Sequence, residues 1–331
     1  MYPIIHPGIT RLTDEFRLSQ IIHINDHMPP VKNIHINING QKMYSKNTII
    51  DLFNESNIDY KNKTFMFDHY LLFDDFEKIK VNNFIFLESA LRFKNYMQSW
   101  EISSKNNISK NLTFMSNKIR EHRILCATLL SNLFDSAKLA YSYNGSDKKN
   151  IINSELLIDT DYLFDISKTL PDRWIIHDEL AESRQTNPVI GRAYTNNHSG
   201  FADCLYNQIY KNSATSIITE PNFYEHGCML TEKTLMSIYA GHFMIWPGGW
   251  KTAEVAEKIG IDVFNDIIDH SYQYIEHPGQ RVVEAILRNL NFLKNMELQA
   301  TLRNQNIDRF NSNLELVRNL DLLSEKINLL N

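Results

Sequence analysis

An α/β fold is what this sequence predicts, and three observations predict it. Short apolar runs alternate with amphipathic stretches along most of the chain, the alternation of strands and helices from which parallel sheets are built. Between Thr215 and Arg281 the order is tighter: a β-rich run, a polar loop, an amphipathic helix, a second apolar run, a glycine turn and another helix. That order is expected of a nucleotide-binding α/β half-domain. The length, 331 residues with 43% hydrophobic and 22% charged content, suits two domains with real cores.

Taken in order, residues 20–24, 33–38, 64–67 and 84–87 are strand candidates, and 49–53 and 71–79 read as helix or loop. Together they predict a βα-type domain over residues 1–105. Leu91, Tyr96, Met97 and Trp100 recur at helical spacing, so 90–100 should be a helix leading into a Ser-, Asn- and Lys-rich linker at 103–110. A second domain follows, over 108–290. Its elements begin with a strand at 111–115, a turn at Ser116-Asn117, an amphipathic helix at 120–134 and a strand at 138–142. The run 216–219 should be a strand ending in a loop over 220–230, and 242–246 a buried parallel strand ending at Pro247-Gly248-Gly249. In the tail, 291–331, Leu314, Leu316, Leu320, Leu323 and Ile327 continue the helical spacing set by Ile286, Leu290, Leu293 and Met296. Long terminal helices are expected there, packed on the domains, with a homodimer seam as the alternative.

The net charge of −5 argues against a protein that coats nucleic acid through many phosphate contacts, while leaving room for a local basic groove. Cys126, Cys204 and Cys228 are odd in number, lie in or beside apolar runs and have no metal-type spacing, as reduced thiols of a cytoplasmic protein would. No basic-then-apolar leader opens the chain and no run of ~18 apolar residues occurs, so neither secretion nor a membrane span is expected.

The chemistry centres on Thr231-Glu232-Lys233-Thr234. Thr231 as N-cap leaves amides pointing out of a helix start, where partial positive charge collects and a phosphate or ribose is welcome. Glu232 can hold ribose hydroxyls there and Lys233 a phosphate; an acidic first turn with a solvated lysine is the plain structural alternative. Gly248 and Gly249 follow the next strand at its carboxyl end, where ligands of open parallel sheets sit. Asp159-Thr160-Asp161 offers paired carboxylates to a hard cation, or simply ends the strand 156–158.

Leu230-Thr231-Glu232-Lys233-Thr234, followed by a small-residue helix and Ala240-Gly241-His242-Phe243 turning into an apolar strand, resembles the sugar-nucleotide motif of fucosyltransferase-type GT-B glycosyltransferases. Met229 stands where that family carries an aromatic residue. Gly260, Phe264, Asp269, Ser271-Tyr272 and Arg281 are similar to the tail of bacterial and phage glycosyltransferase-like proteins. Ser116-Asn117 with Arg123 six residues on resembles the segment that opens the family's donor domain, where the arginine meets the nucleotide pyrophosphate. The likeness covers about residues 108–290.

The resemblance implies a GT-B fold, two Rossmann-like domains facing a cleft with C-terminal helices. It implies a nucleotide-sugar donor, a UDP-sugar first, held by Ser116, Asn117, Arg123, Thr231, Glu232, Lys233, Thr234, Gly248 and Gly249, with no metal required. The general base should come from the first domain: Asp26 after the strand 20–24 is the first candidate, Glu88 the second and Asp68 the third, with His6 a weaker one. The acceptor expected is a hydroxymethylated pyrimidine in duplex DNA, flipped into the cleft of a phage enzyme in the host cytoplasm. Arg173, Arg184, Arg192 and Lys211 are candidates for the basic face. A surface polysaccharide acceptor, and a non-catalytic binding protein on the same scaffold, are the alternatives.

Overall fold

The structure, a computed structural model, describes residues 33–35, 64–67, 70–71, 79–81, 84–97, 100–102, 108–116, 121–135, 138–143, 210–220, 227–228 and 230–328. It is a mixed α/β protein around a four-stranded parallel sheet. That sheet takes β5 (Leu112–Ser116), β6 (Leu139–Tyr143), β7 (Thr215–Ile217) and β9 (Phe243–Ile245) in the order β6-β5-β7-β9. Thr113 pairs with Ala140 on one side and Ser216 on the other, and Ser216 pairs in turn with Met244. Strands β7 and β9 are buried at every position; β9 is accordingly apolar throughout, while β7 carries Thr215 and Ser216, whose hydroxyls bond to Gln299 and His242.

Three parallel strands, β1 (Asn33–His35), β2 (Thr64–Phe67) and β4 (Ile79–Val81), make a second sheet in the order β1-β2-β4. A short antiparallel ribbon pairs β3 (Tyr70–Leu71) with β8 (Gly227–Cys228), placing Tyr70 opposite Cys228. The ribbon ties the first part of the chain to the polar loop of the second. It also corrects two expectations: 71–79 begins and ends in strand, and the loop 220–230 contains one.

Residues 84–87 are not a strand. They open helix α1 (Phe84–Tyr96), because Phe86, Ala90, Phe93 and Met97 recur at helical intervals and all four are buried. Helix α1 packs against α3 (Glu232–Ala240), α8 (Ile307–Arg318) and α9 (Leu320–Asn328), and α2 (Glu121–Leu133) packs against α5 (Pro278–Leu287). The Trp100 indole N–H donates to Tyr239 O at 2.6 Å, fastening the end of the first segment to α3.

The tail is helical but broken, against the expectation of long helices. After α5 come α6 (Leu290–Lys294), α7 (Met296–Gln305), α8 and α9, and an asparagine stands at each break: Asn289, Asn295, Asn306 and Asn319. Asn295 Oδ1 accepts from Leu298 N at 2.9 Å and Asn319 Oδ1 from Leu322 N at 3.1 Å, capping the next helix, while Asn289 and Asn306 donate back to Ala285 O and Leu302 O of the helix before. The breaks let the tail fold over the end of the sheet. There Phe243 stands edge-on to Phe264, Phe292 and Phe310, with ring centroids 5.0 to 5.3 Å apart. Helix α4 (Thr252–Lys258) completes the set.

Candidate functional site

In the four-stranded sheet the chain runs β5 to β6 in one direction and then crosses back to β7 and β9 on the other side of β5. The order therefore reverses between β5 and β7. Helices leave the two strands in opposite directions at such a point, opening a crevice beyond their carboxyl ends. The polar groups of the site meet there.

Beyond β7 the chain continues through Ile218 and Thr219 to Glu220, which is 3% exposed. Its carboxylate accepts three hydrogen bonds from the start of α3. Thr231 N and Thr234 Oγ1 donate to Oε1 at 2.9 and 2.8 Å, and Thr231 Oγ1 donates to Oε2 at 2.5 Å. Thr231 is the N-cap, with extended backbone and its hydroxyl accepting from Lys233 N at 3.3 Å. Trp246 Nε1 donates to Thr234 Oγ1 at 3.1 Å, adding the end of β9 to the network.

Lys233 is the cation of this cluster. Its Nζ lies 2.7 Å from Glu232 Oε1 and 3.4 Å from Thr231 Oγ1, and its side chain is 10% exposed against 23% for Glu232. An ammonium has three donors, so among the described residues one N–H remains for an incoming oxygen. Burial pushes the Glu220 carboxyl above the usual carboxylate range; the Glu232 charge adds to this, while Lys233 and the two threonine hydroxyls oppose it. Burial acts on Glu232 too, but Lys233 and hydrogen bonds from its own amide and Thr231 outweigh it and hold that carboxyl below the usual range.

Helix α2 reaches the same strand end from the other side of the switch point. His122 Nε2 lies 3.0 Å from Glu220 O, and Arg123 NH2 donates to Thr219 O at 3.0 Å; both side chains are buried. Arg123 thus stands at the switch point with one donor directed at the strand end. The Thr219 hydroxyl is fully buried and meets no hydrogen-bond partner among the described residues. Cys228, on the ribbon, lies close enough for Glu220 to act on it; burial chiefly, with that charge added, pushes its thiol up to about 12.

The glycine turn is held from below. Gly248 adopts φ +91, and Arg281 Nε donates to its carbonyl at 3.1 Å while Arg281 NH1 donates to Ile275 O at 2.7 Å. A Cβ on Gly249 would come within 1.9 Å of Thr252 Oγ1 and 3.0 Å of Thr252 Cβ, so the turn closes tightly on the start of α4. Gln273 Oε1 accepts from Ala253 N and Glu254 N at that helix start.

Of the residues singled out from sequence, Thr231, Glu232, Lys233, Thr234 and Arg123 come together around the crevice, and Gly248 and Gly249 follow the neighbouring strand. Ser116 ends β5, and Glu88 lies on α1. Asn117, Asp26, Asp68, His6, Asp159, Asp161, Arg173, Arg184 and Arg192 lie outside the described residues, and Lys211 is exposed. Sequence reasoning missed Glu220 and His122. The signal for Glu220 was present: an acidic residue three positions beyond a buried parallel strand, in a Thr-Glu pair that repeats at Thr231-Glu232.

No protein-family model, curated protein or solved structure matches this chain. Among the described residues no helix is long and apolar enough to cross a membrane, and no three His, Cys, Asp or Glu side chains gather as a metal site would need.

Proposed function

We propose that this chain is a nucleotide-sugar-dependent glycosyltransferase of GT-B layout that binds its donor in the crevice between β5 and β7. The observation that carries the reading is the placement of Thr231-Glu232-Lys233. This triplet starts a nine-residue helix bonded to Glu220 beyond the carboxyl end of β7, where the strand order reverses, and His122 and Arg123 reach the same strand end. Glu232, the most exposed member of the cluster, receives the ribose hydroxyls of a UDP-sugar. Lys233 receives the diphosphate at a helix start that it shares with Glu220, and Arg123 supports the charge that grows on it as the sugar leaves. Asp26, or Glu88 in its place, takes the proton from the acceptor hydroxyl. The acceptor we propose is a hydroxymethylated pyrimidine in duplex DNA, on the strength of the phage-like resemblance.

Thermal melting with UDP, GDP, CMP and ADP tests the donor site, because a ligand bound to the folded state raises the midpoint. One nucleotide is expected to stabilise the protein, and Glu232→Ala to weaken its binding roughly ten- to a hundredfold. No shift with any nucleotide overturns the reading. The matching nucleotide sugar is then incubated with hydroxymethylcytosine DNA and, separately, with lipid-linked and oligosaccharide acceptors. Sugar mass on a digested nucleoside is expected; transfer to a glycan alone assigns the enzyme to surface polysaccharide. Nucleotide binding without transfer to any acceptor leaves a binding protein.

A further inference from the structure

Glu220, Thr231 and Lys233 form a chain of contacts in which one hydroxyl stands between a carboxylate and an ammonium. Thr231 Oγ1 lies 2.5 Å from Glu220 Oε2 and 3.4 Å from Lys233 Nζ. A hydroxyl has one proton, and with Glu220 ionised that proton points inward to Oε2. Two carboxylates, Glu220 and Glu232, therefore share Lys233 in a site that excludes most water. Among the described residues, the other titratable or charged groups facing Glu220 are His122, which meets the Glu220 carbonyl, Arg123, which meets the Thr219 carbonyl, and the Cys228 thiol. An anion that takes the charge of Lys233 deprives Glu220 and Glu232 of the cation whose charge acts on both.

We propose that Glu220 is the proton store of this site: an anionic diphosphate binding at Lys233 draws one proton from solvent onto Glu220 Oε2. The atoms balance simply. Solvent or buffer gives up a proton, an O–H bond forms on Oε2, and the new acid donates to Thr231 Oγ1. The Thr231 hydroxyl, no longer needed as donor to Oε2, turns its own proton outward to an oxygen of the anion held by Lys233. One proton thus converts Thr231 from an internal cap into a ligand contact, and it removes the negative charge that would repel the diphosphate. The burial that already favours the neutral form of Glu220 lowers the cost of that step. This inference rests on the donor-site reading above and adds to it a coupling that the reading does not require.

The test is titration calorimetry of the full chain with UDP and with inorganic pyrophosphate, from pH 5 to pH 8, in buffer pairs of different ionisation heat. The wild type is expected to take up a fraction of a proton on binding, with a maximum at one pH and affinity falling as pH rises. Glu220→Gln presents a permanent N–H to Thr231 and mimics the protonated acid. It is expected to bind pyrophosphate several-fold more tightly than the wild type at pH 8, with affinity flat in pH apart from the ligand's own titration. Equal proton uptake in the two proteins overturns the proposal while leaving the donor site in place. If neither ligand binds at any pH, the donor-site reading falls and this inference falls with it. Should Glu220→Gln fail to fold, Glu232→Gln decides, since it removes the rival carboxylate and should move the uptake maximum to lower pH. An unmoved maximum refutes the coupling.

Discussion

Replacing Lys233 by methionine keeps the reach of the side chain and removes its charge. Glu220 and Glu232 then share a largely buried site without the ammonium that lies 2.7 Å from one of them and within Coulomb range of the other. Breaking a buried ion pair by deleting one partner costs ~3–5 kcal/mol. Glu232 keeps 23% of its side-chain surface in solvent, so about 2–4 kcal/mol is the expectation near neutral pH. The pH dependence separates this cause from lost packing. Without Lys233 both carboxyls titrate above their unfolded values, so the folded state binds protons more tightly than the unfolded one. Stability then returns as pH falls through the raised values and is lost as pH rises. Urea unfolding of wild type and Lys233→Met between pH 5 and pH 8 should show a gap that is widest at pH 8 and narrows toward pH 5. A gap constant across that range, or one below about 0.5 kcal/mol at pH 7, refutes the reasoning.

His270 gives a dependence of opposite sign: burial holds it down at about 4, while its Nε2 donates to Val263 O at 3.0 Å. Its contribution is fully present above the unfolded value near 6.5 and is lost as pH falls toward 4, on the order of 3 kcal/mol in all, and His270→Gln should flatten that limb of the pH–stability curve. Arg281, 1% exposed, donates to the carbonyls of Gly248, Ile275 and Glu276. Arg281→Met should cost about 2–4 kcal/mol by leaving those acceptors buried, and should speed hydrogen exchange at the amides of 246–250; exchange unchanged there would mean that the glycine turn holds itself.

Part of the second half of the fold was legible because its parallel strands and α3 follow local rules. Strand β9 is buried at every position and reads as an apolar run before a glycine turn, β7 is announced by Ile217 and Ile218, and Thr231 and Gly241 mark both ends of α3. The misreadings arose where a rule of one period was applied to a segment that follows another. Phe84-Ile85-Phe86-Leu87 looks like a strand over four residues and like a helix only over the fourteen that reach Met97, where the buried stripe becomes visible. The terminal helices kept a single apolar period, which hid their breaks. What ends them is the asparagine side chain competing with the backbone, and asparagine is too common in this chain to mark a boundary by its presence.

The site shows a different limit. Thr231, Glu232 and Lys233 were found because they adjoin one another in sequence and begin a helix, and local order carries that much. Glu220 is eleven residues from Thr231, and its role depends on the ribbon and the sheet bringing it under the helix start. A sequence reading leaves the α3 amides open to any anion. In the folded protein an internal carboxylate already takes the Thr231 amide, the Thr231 hydroxyl and the Thr234 hydroxyl. An incoming phosphate must therefore share the helix start with Glu220 rather than fill an empty cradle. That sharing favours a ligand with a second contact away from the amides, such as a ribose on the partly exposed Glu232, over a free phosphate that relies on the helix dipole alone.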